Sequence, residues 1–420
     1  MATAVSQRGY TYEPPKTGPS TELAPVAPDE RIHALDLLRG WAMFGVLWSN
    51  LNDWYGTADP TSGLDRALQW TQNWVLESRF YTLLCILFGV GFGIQLMRAN
   101  DRGTDVKTTY YRRSAALLAI GVVHGTLIWN GDILTMYALV AFALVMFRAM
   151  SARAVLWSAA LSWFLAPEIV SRVRFLAGQR YMVPRVDNTT AGWVFGHGSW
   201  LQIAPFRLDA YLDWFGRWGL TFYWSILATF LVGLWAVKSG YLRRVFEDRK
   251  TTLRLLAVAV VFAAVGFAWQ AWLPKHIPRQ AGFGTGVTDP QFWIPWRSAF
   301  RVLGWATEAT ALGYAAALIL LWQTPRGARL LAPLAATGRM ALTTYLTQSV
   351  VCTLLFYGYG FGLYGRFGYT GMFVLTLVLF GCQMAASTWW LSRYRFGPVE
   401  WLWRTLTYGR APAMRIREAA

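Results

Sequence analysis

The sequence predicts an all-α polytopic membrane protein with about ten transmembrane helices, each long enough to cross a bilayer. Hydrophobic residues make up 55% of the 420 residues and aromatic residues 16%, whereas charged residues make up only 15%. The mean hydropathy of +0.31 is typical of membrane proteins. Apolar runs of spanning length cover 34–52, 79–97, 114–130, 132–148, 154–171, 218–237, 253–273, 299–322, 340–357 and 371–391.

The distribution of positive charge predicts the topology. A net charge of +17 in a soluble protein would suggest a nucleic-acid partner, but we expect none here because membrane topology accounts for the charge. With the N-terminus in the cytoplasm, positive residues concentrate in segments on the inner side, where anionic lipid attracts them. These are Arg98, Arg102, Lys107, Arg112, Arg113, Arg148, Arg153, Lys238, Arg243, Arg244, Arg249, Lys250, Arg326, Arg329, Arg339 and the arginines of the C-terminal tail. We therefore expect both termini in the cytoplasm, a multi-pass location in the plasma (inner) membrane, and membrane lipid as a partner.

The chain divides into a tail, a helical domain and a second tail. Residues 1–30 are rich in Pro, Ser, Thr and Ala and lack an apolar run, which predicts a disordered cytoplasmic tail without a cleavable signal peptide. The transmembrane domain covers 31–409, with long external loops at 167–217 and 274–297, and a basic tail covers 410–420. Long loops carry function more often than short ones.

The stretch 117–137 carries the first candidate site. Two apolar runs meet at Asn130-Gly131, which predicts a sharp turn because both residues tolerate positive φ, and hence a helical hairpin. His124 precedes Asn130 by about 9 Å along a helix, and Asp132 follows the turn, where a carboxylate caps the second helix. A neutral imidazole can accept a proton from a hydroxyl or amine, and Asp132 is placed to orient it. We predict His124 and Asp132 as catalytic residues and Asn130 as a substrate contact, with a structural histidine as the alternative.

No metal site is predicted. No second His or Cys stands at ligand spacing from His124. The three cysteines, Cys85, Cys352 and Cys382, all lie in apolar runs and indicate small core residues.

Two polar groups inside predicted spans are further candidates. Glu308 lies near the middle of its span, where a carboxylate must be protonated, paired or in contact with water. It suits a proton relay, an ion site or a substrate amine, and an ion pair with Arg301 is the structural alternative. Thr344 and Gln348 share one helix face and are expected to join helices by hydrogen bonds, with Gln348 also a candidate substrate ligand.

Other motifs predict local structure. Asp36 and Arg39 share one face of the first helix and can pair, so Arg39 is either a topology anchor or a ligand for a phosphate or carboxylate. Gly89 and Gly93 have the spacing of close helix packing. Thr337 is expected to cap the ninth helix, and Glu400 to pair with Arg404.

Three stretches together resemble the YeiB-like family of bacterial membrane proteins, also called domain of unknown function 418. They are Asp36-Leu37-Leu38-Arg39-Gly40, the hairpin 117–137, and 338–349 with 397–404. The resemblance covers 31–409. This family is grouped with transmembrane acyltransferases, including the lysosomal enzyme that acetylates heparan glucosamine. The heparan-type enzymes use a histidine between the first two helices, where this sequence has none, so His124 is a candidate from its own surroundings.

The resemblance implies an integral membrane acyltransferase that passes an acyl group from a cytoplasmic thioester, such as acetyl-CoA, to a hydroxyl or amine acceptor at the outer side. Arg39, Arg112 and Arg113 would attract the phosphates of the acyl-CoA donor, and no cofactor would stay bound permanently. A small molecule or glycan would be the acceptor, and the sequence leaves a homo-oligomer open. The alternative is a transporter or exporter coupled to protons or ions through Glu308 and Asp132. A third option is an assembly partner without chemistry.

Overall fold

The structure, a computed structural model, describes residues 32–76, 78–166, 169–170, 173, 188–213, 215, 219–276 and 290–416. The side chains at 53, 188–189, 219–221, 270–276 and 290–305 are outside this description. The predicted tail 1–30 therefore lies outside the described residues. The side chain of Arg301, the proposed partner of Glu308, lies outside them as well.

The described residues are helical apart from their connections and an isolated β-bridge between Tyr394 and Arg415, which confirms the all-α fold class. A π-helical turn at His124–Ile128 extends the fourth helix. The helices are α1 (His33–Trp54), α2 (Gly63–Thr71), α3 (Arg79–Asp101), α4 (Val106–Val123), α5 (Leu134–Leu144), α6 (Ala152–Phe164), α7 (Asn188–His197), α8 (Trp200–Asp213), α9 (Gly219–Lys238), α10 (Tyr241–Glu247), α11 (Arg249–His276), α12 (Pro290–Trp322), α13 (Pro325–Arg339), α14 (Ala341–Phe356), α15 (Tyr369–Leu391) and α16 (Pro398–Tyr408).

Several helices have the length and apolar character needed to cross a membrane. These are the segment Gly63–Asp101, which contains α2 and α3 and in which residue 77 lies outside the description, and the helices Arg249–Trp269 and Tyr369–Leu391. The pair Phe222–Lys238 and Tyr241–Glu247, bent by 71°, is a fourth if it counts as one broken span. Each of the ten predicted apolar segments overlaps a helix. This pattern is that of a membrane protein.

Small residues allow the closest helix contacts. α3 packs along α9, and a methyl group added at Gly89 would overlap the backbone carbonyl of Phe230. Four residues further along α3, a Cβ at Gly93 would lie 2.8 Å from the Cβ of Val237. The prediction of close packing at Gly89 and Gly93 is therefore confirmed, because only glycine lets the two backbones approach this far.

Glycines also allow the close contact between α1 and α13. A Cβ at Gly40 would overlap the carbonyl of Leu334, and a Cβ at Gly338 would overlap the carbonyl of Asp36. These glycines belong to two of the three stretches that carry the family resemblance. They bring Arg39 on α1 close to the end of α13, and so help to assemble one end of the cavity described below.

The predicted cap at Thr337 is wrong. α13 continues through Thr337, whose hydroxyl donates to the Pro333 carbonyl at 3.1 Å, and α14 begins only at Ala341. The Glu400 carboxylate caps α14 instead, accepting the N–H groups of Leu342 at 2.6 Å and Thr343 at 3.0 Å. A distant carboxylate satisfies the free N–H groups of this helix, so the local sequence around Thr337 could not predict the cap.

The predicted loops and the C-terminal tail contain regular structure. α7 and α8 lie within the first loop, 167–217, and the second loop, 274–297, is shortened because α11 extends to His276 and α12 begins at Pro290. In the basic tail 410–420, the Met414 carbonyl accepts from the Arg395 N–H at 2.9 Å, so the described part of the tail returns along the chain before α16.

Candidate functional site

The helical hairpin brings His124 and Asp132 into direct contact. α4 ends in the π-helical turn, in which the Trp129 N–H donates to the His124 carbonyl at 2.9 Å. The chain then reverses at Asn130-Gly131, as predicted, and places Asp132 Oδ1 2.8 Å from His124 Nδ1. Both side chains are buried, with exposures of 1% and 0%. The contact that the sequence left open is therefore present.

Asp132 is held by the backbone that it caps. Its Oδ1 accepts the Leu134 N–H at 3.2 Å, and its Oδ2 accepts the Thr135 N–H at 2.9 Å, which confirms that it caps α5. Backbone N–H groups at a helix start are the donors that a capping aspartate accepts. Nδ1 of His124 then donates to this carboxylate, which leaves Nε2 as the basic nitrogen.

Glycine is needed at the turn for packing. Neither Asn130 nor Gly131 has a positive φ, so the predicted reason for the Asn-Gly turn is wrong. A Cβ at Gly131 would instead overlap the indole ring of Trp129, which is 1% exposed and whose ring centroid lies 6.1 Å from that of His124. The turn residue is therefore small so that Trp129 can fold back over it beside the histidine.

His124 Nε2 lies in an aromatic environment. It is buried and has no hydrogen-bond partner among the described residues. The ring of Tyr345 on α14 lies 5.2 Å from the imidazole, and its hydroxyl donates to the Gly131 carbonyl at 3.4 Å. A buried basic nitrogen without a partner is uncommon in a structural histidine, because its desolvation is uncompensated.

The helix α8 covers the outer face of the π-helical turn. Trp200 Nε1 donates to the Leu127 carbonyl at 3.2 Å, and Arg207 Nε donates to the Thr126 carbonyl at 2.9 Å. These carbonyls belong to the end of a helix, where intrahelical donors are missing. The Tyr211 hydroxyl bonds Thr135 Oγ1 at 2.9 Å, so α8 is fastened to both helices of the hairpin. The sequence did not predict this contact.

An elongated cavity of about 780 Å³ runs beside the hairpin. Its lining follows α1 from Asp36 to Trp54 and α3 from Phe80 to Arg98, which is about 27 Å along each helix. We call one end the arginine end, lined by Arg39, Arg98, Arg113, Arg339 and Arg404. We call the other the hairpin end, lined by Trp54, Gly131 and Ile133. Tyr345 lines the cavity, whereas His124 and Asp132 lie behind it.

Five guanidinium groups and two carboxylates, those of Asp36 and Glu400, line the arginine end, so its net charge is positive. Arg39 Nη1 donates to Asp36 Oδ1 at 2.9 Å, which confirms the predicted pair. Arg113 stacks over the ring of Trp403 at 3.8 Å. An anionic ligand fits this end best.

Two adjacent residues, Arg112 and Arg113, were predicted to bind the acyl-CoA, and only one of them lines the cavity. Arg113 lines the arginine end, but Arg112 is exposed and does not line the cavity, because successive residues of a helix point about 100° apart. Sequence reasoning missed Arg98, Arg339 and Arg404 as members of this site and used the first two only for topology. The available signal was the positive charge of Arg98 and Arg339 in the last turns of their helices.

Of the three predicted substrate contacts, Glu308 alone lines the cavity. Its Oε2 is buried without a hydrogen-bond partner among the described residues. Gln348 instead joins helices, because its Nε2 donates to Gln383 Oε1 at 2.9 Å and to the Met43 carbonyl at 3.4 Å. Asn130 is 5% exposed within the turn and does not line the cavity.

This arrangement defines a class: a helical membrane protein with an internal cavity that is cationic at one end and adjoins a buried His–Asp pair at the other. The chain belongs to the YeiB-like DUF418 family. It is 33% identical over 413 residues to YxaH of Bacillus subtilis (strain 168), covering 92% of this chain and 97% of YxaH. The profile described as "Protein of unknown function (DUF418)" matches residues 236–410. The predicted family is thus confirmed.

Two further relatives extend over most of the chain. A Bacillus acidopullulyticus protein, described as an uncharacterized 39.9 kDa protein in the amylase 3′ region, is 28% identical over 405 residues, covering 94% of this chain and 99% of that protein. YeiB of Escherichia coli (strain K12) is 26% identical over 410 residues, covering 90% and 96%. YxaH and YeiB are also described as uncharacterized, so the relatives define a family but no reaction.

Proposed function

We propose that the protein is an integral membrane acyltransferase that takes an acyl group from a cytoplasmic thioester, such as acetyl-CoA, and passes it to a hydroxyl or amine acceptor. The proposal includes the full topology of about ten spans in the inner membrane with both termini in the cytoplasm. It places the arginine end inside and the hairpin end outside. The observation that carries it is the buried His124–Asp132 pair, with an unpartnered Nε2, beside a cavity whose far end is lined by five arginines.

The shape and charge of the cavity suit an acyl-CoA. Such a molecule joins a phosphorylated nucleotide to a long uncharged arm that ends in the thioester. The arginine end offers guanidinium groups, which bind phosphates through paired hydrogen bonds. Beyond it, the lining of α1 and α3 consists mainly of apolar and hydroxyl side chains and leads toward the hairpin.

His124 would act as the general base. Its Nε2 accepts the proton of the acceptor hydroxyl or amine while the acceptor oxygen or nitrogen attacks the thioester carbonyl carbon. The C–S bond breaks, the new ester or amide bond forms, and the imidazolium returns its proton to the leaving thiolate. Asp132 stabilises the imidazolium and holds the ring orientation. Because His124 does not line the cavity, this contact requires a rearrangement, and we expect Tyr345, which lines the cavity and lies 5.2 Å from the imidazole, to move aside.

The test uses purified full-length protein in lipid nanodiscs with radiolabelled acetyl-CoA and a membrane extract as acceptor. We expect labelled product with the native protein and a loss of labelled product with His124→Ala. Full transfer by His124→Ala would overturn the role of the histidine. If the native protein neither binds CoA nor transfers label, the acyltransferase proposal fails.

A matched pair tests the arginine end. Arg113→Gln removes a guanidinium that lines the cavity, whereas Arg112→Gln removes the same charge from the exposed side of the same helix. We expect Arg113→Gln to weaken CoA binding about tenfold or more, the size of a lost charged hydrogen bond, and Arg112→Gln to leave it unchanged. Equal effects of the two substitutions would show that the arginine end is not the CoA site.

A proton- or ion-coupled transporter is the second candidate. The observation that favours it is Glu308, whose carboxyl lines the cavity and has one oxygen without a hydrogen-bond partner among the described residues, a common property of intramembrane proton and ion sites. A transporter moves labelled substrate unchanged and forms no acyl product. Uptake into proteoliposomes that follows a pH gradient and is lost in Glu308→Gln, without acyl transfer, would favour this function.

A further inference from the structure

Arg207 on α8 is the most unusual charge among the described residues outside the cavity. Its exposure is 0%. Nε donates to the Thr126 carbonyl, but Nη1 and Nη2 are both buried without a hydrogen-bond partner, and no carboxylate of the described residues forms an ion pair with it. Arg79, another buried arginine, by contrast donates from Nη2 to the Trp74 carbonyl at 2.7 Å.

Arg207 has no counter-ion among the described residues, and its charge therefore suggests that it binds an anionic ligand. An arginine stays protonated in proteins, so burial cannot neutralise it as it can neutralise a lysine or a carboxylate. A buried charge without a partner costs several kcal/mol. The ring of Trp200 lies 5.0 Å from the guanidinium carbon, and such a cation–π contact offsets only a part of this cost.

The position of Arg207 relates it to the candidate catalytic pair. It bonds the π-helical turn two residues after His124, and the tyrosines Tyr357 and Tyr359 lie in its neighbourhood. The two free Nη groups form a planar fork that matches the two oxygens of a carboxylate or phosphate. The tyrosine hydroxyls can supply further donors to the same group.

We propose that Arg207 is the anchor of an oxyanion site at the hairpin, and that it binds a carboxylate or phosphate group of the acceptor. The acceptor is then an anionic molecule held by its charge next to His124. The acceptor assignment rests on the proposed acyltransferase function, whereas the oxyanion site does not. The site is distinct from the arginine end, whose cations lie on α1, α3, α4, α13 and α16.

The first experiment measures anion binding alone. Thermal unfolding of the full-length protein in detergent is followed with sodium phosphate or sodium acetate, each against sodium chloride at equal ionic strength. The variants are Arg207→Met, which removes the charge but keeps an apolar stem, and Arg113→Gln, which removes a cation from the arginine end. We expect both oxyanions to raise the melting temperature of the native protein and of Arg113→Gln, and Arg207→Met to bind them at least about tenfold more weakly.

The stability without oxyanion separates a ligand site from a structural arginine. In chloride alone, Arg207→Met is expected to unfold at or above the temperature of the native protein, because it removes an unpaired buried charge. An equal loss of stability in every buffer would overturn the proposal and make Arg207 a structural residue. A response to oxyanion that survives in Arg207→Met but is lost in Arg113→Gln would overturn it as well, because the anion would bind at the arginine end.

The second experiment tests the acceptor assignment. An amino sugar and its phosphate monoester are compared as acceptors of label from acetyl-CoA. We expect a higher kcat/KM for the phosphate monoester, and we expect Arg207→Met to abolish this preference mainly through KM. Transfer without any preference for the phosphorylated acceptor would overturn the acceptor assignment. If no acceptor is acylated, the acyltransferase proposal fails, while the anion-binding experiment still decides the oxyanion site.

Discussion

The ring of Tyr345 lies 5.2 Å from the imidazole of His124 and also lines the cavity, so this side chain packs beside the His–Asp pair and contacts the cavity as well. Its hydroxyl donates a long hydrogen bond of 3.4 Å to the Gly131 carbonyl. A ring held mainly by packing and a long hydrogen bond can be displaced at a lower cost than a ring in an extended network of side-chain hydrogen bonds.

We therefore predict that Tyr345→Ala makes His124 accessible from the cavity. In the native protein, diethyl pyrocarbonate should modify His124 slowly, because the side chain is 1% exposed. Removal of the ring should raise the modification rate about tenfold or more, since a contact that excludes water is lost. Peptide mass spectrometry measures the rate. Tyr345→Phe keeps the ring and should stay protected; equal rates in all three proteins would contradict the prediction.

Asp132 has two roles that substitutions can separate. Asp132→Ala removes both the cap of α5 and the partner of His124, and should lower the free energy of unfolding by about 1–3 kcal/mol. Asp132→Asn keeps an oxygen for the cap but loses the charge that stabilises the imidazolium. It should cost less stability while it lowers acyl transfer about 100-fold or more. Calorimetry and label transfer check this, and native-like transfer by Asp132→Asn would remove Asp132 from the mechanism.

The glycines of α3 provide a matched pair for packing. Gly89→Ala forces a methyl group against the carbonyl of Phe230, whereas a Cβ at Gly91, two residues away, meets no atom within 4 Å. Gly89→Ala should therefore destabilise the protein by about 1–3 kcal/mol. Gly91→Ala should be neutral or stabilise it by about 0.5–1 kcal/mol, because alanine favours helix. Thermal unfolding in detergent measures both, and similar melting temperatures would show that α3 and α9 pack less closely.

Glu400 is expected to stabilise the start of α14. Glu400→Ala leaves the N–H groups of Leu342 and Thr343 and the hydroxyl of Thr343 without their acceptor. We expect a loss of about 2 kcal/mol in the free energy of unfolding and faster hydrogen exchange at these amides. Glu247→Ala is the control, because its exposed pair with Arg243 should contribute less than about 1 kcal/mol. Equal losses in the two variants would contradict the capping role.

The stability of the N-terminal turn of α11 should depend on pH. Hydrogen bonds from the side chain of Thr251 and the N–H groups of Lys250 and Thr251 lower the pKa of Asp248. Its contribution to stability is therefore present above the ordinary aspartate value of about 3.9 and is lost as the pH falls through the lower folded value. Amide exchange at Lys250 and Thr251, corrected for intrinsic rates, should accelerate at acid pH. Asp248→Asn should remove this acceleration, and its persistence would refute the prediction.

Features that depend on short spacings were predicted correctly from the sequence. The hairpin, the capping of α5 by Asp132 and the Asp36–Arg39 pair each involve residues fewer than ten positions apart. Helix geometry and a short turn leave few other arrangements for such residues. The same reasoning failed for the cause of the Asn130-Gly131 turn, because the ring of Trp129 and not the backbone dihedral requires the glycine.

Long-range packing between helices decides which residues form the candidate sites. The arginine end collects side chains from five helices, and a difference of one residue decides that Arg113 lines it and Arg112 does not. Gln348 joins helices through Gln383, as one of its two predicted roles required, and Glu400 caps a helix that begins 59 residues earlier. Arg207 is buried where α8 packs on the hairpin. Apolar periodicity determines that a segment is a helix, but in a chain of apolar helices it scarcely restricts rotation about the helix axis. The tertiary contacts set that rotation, and with it the residues that meet.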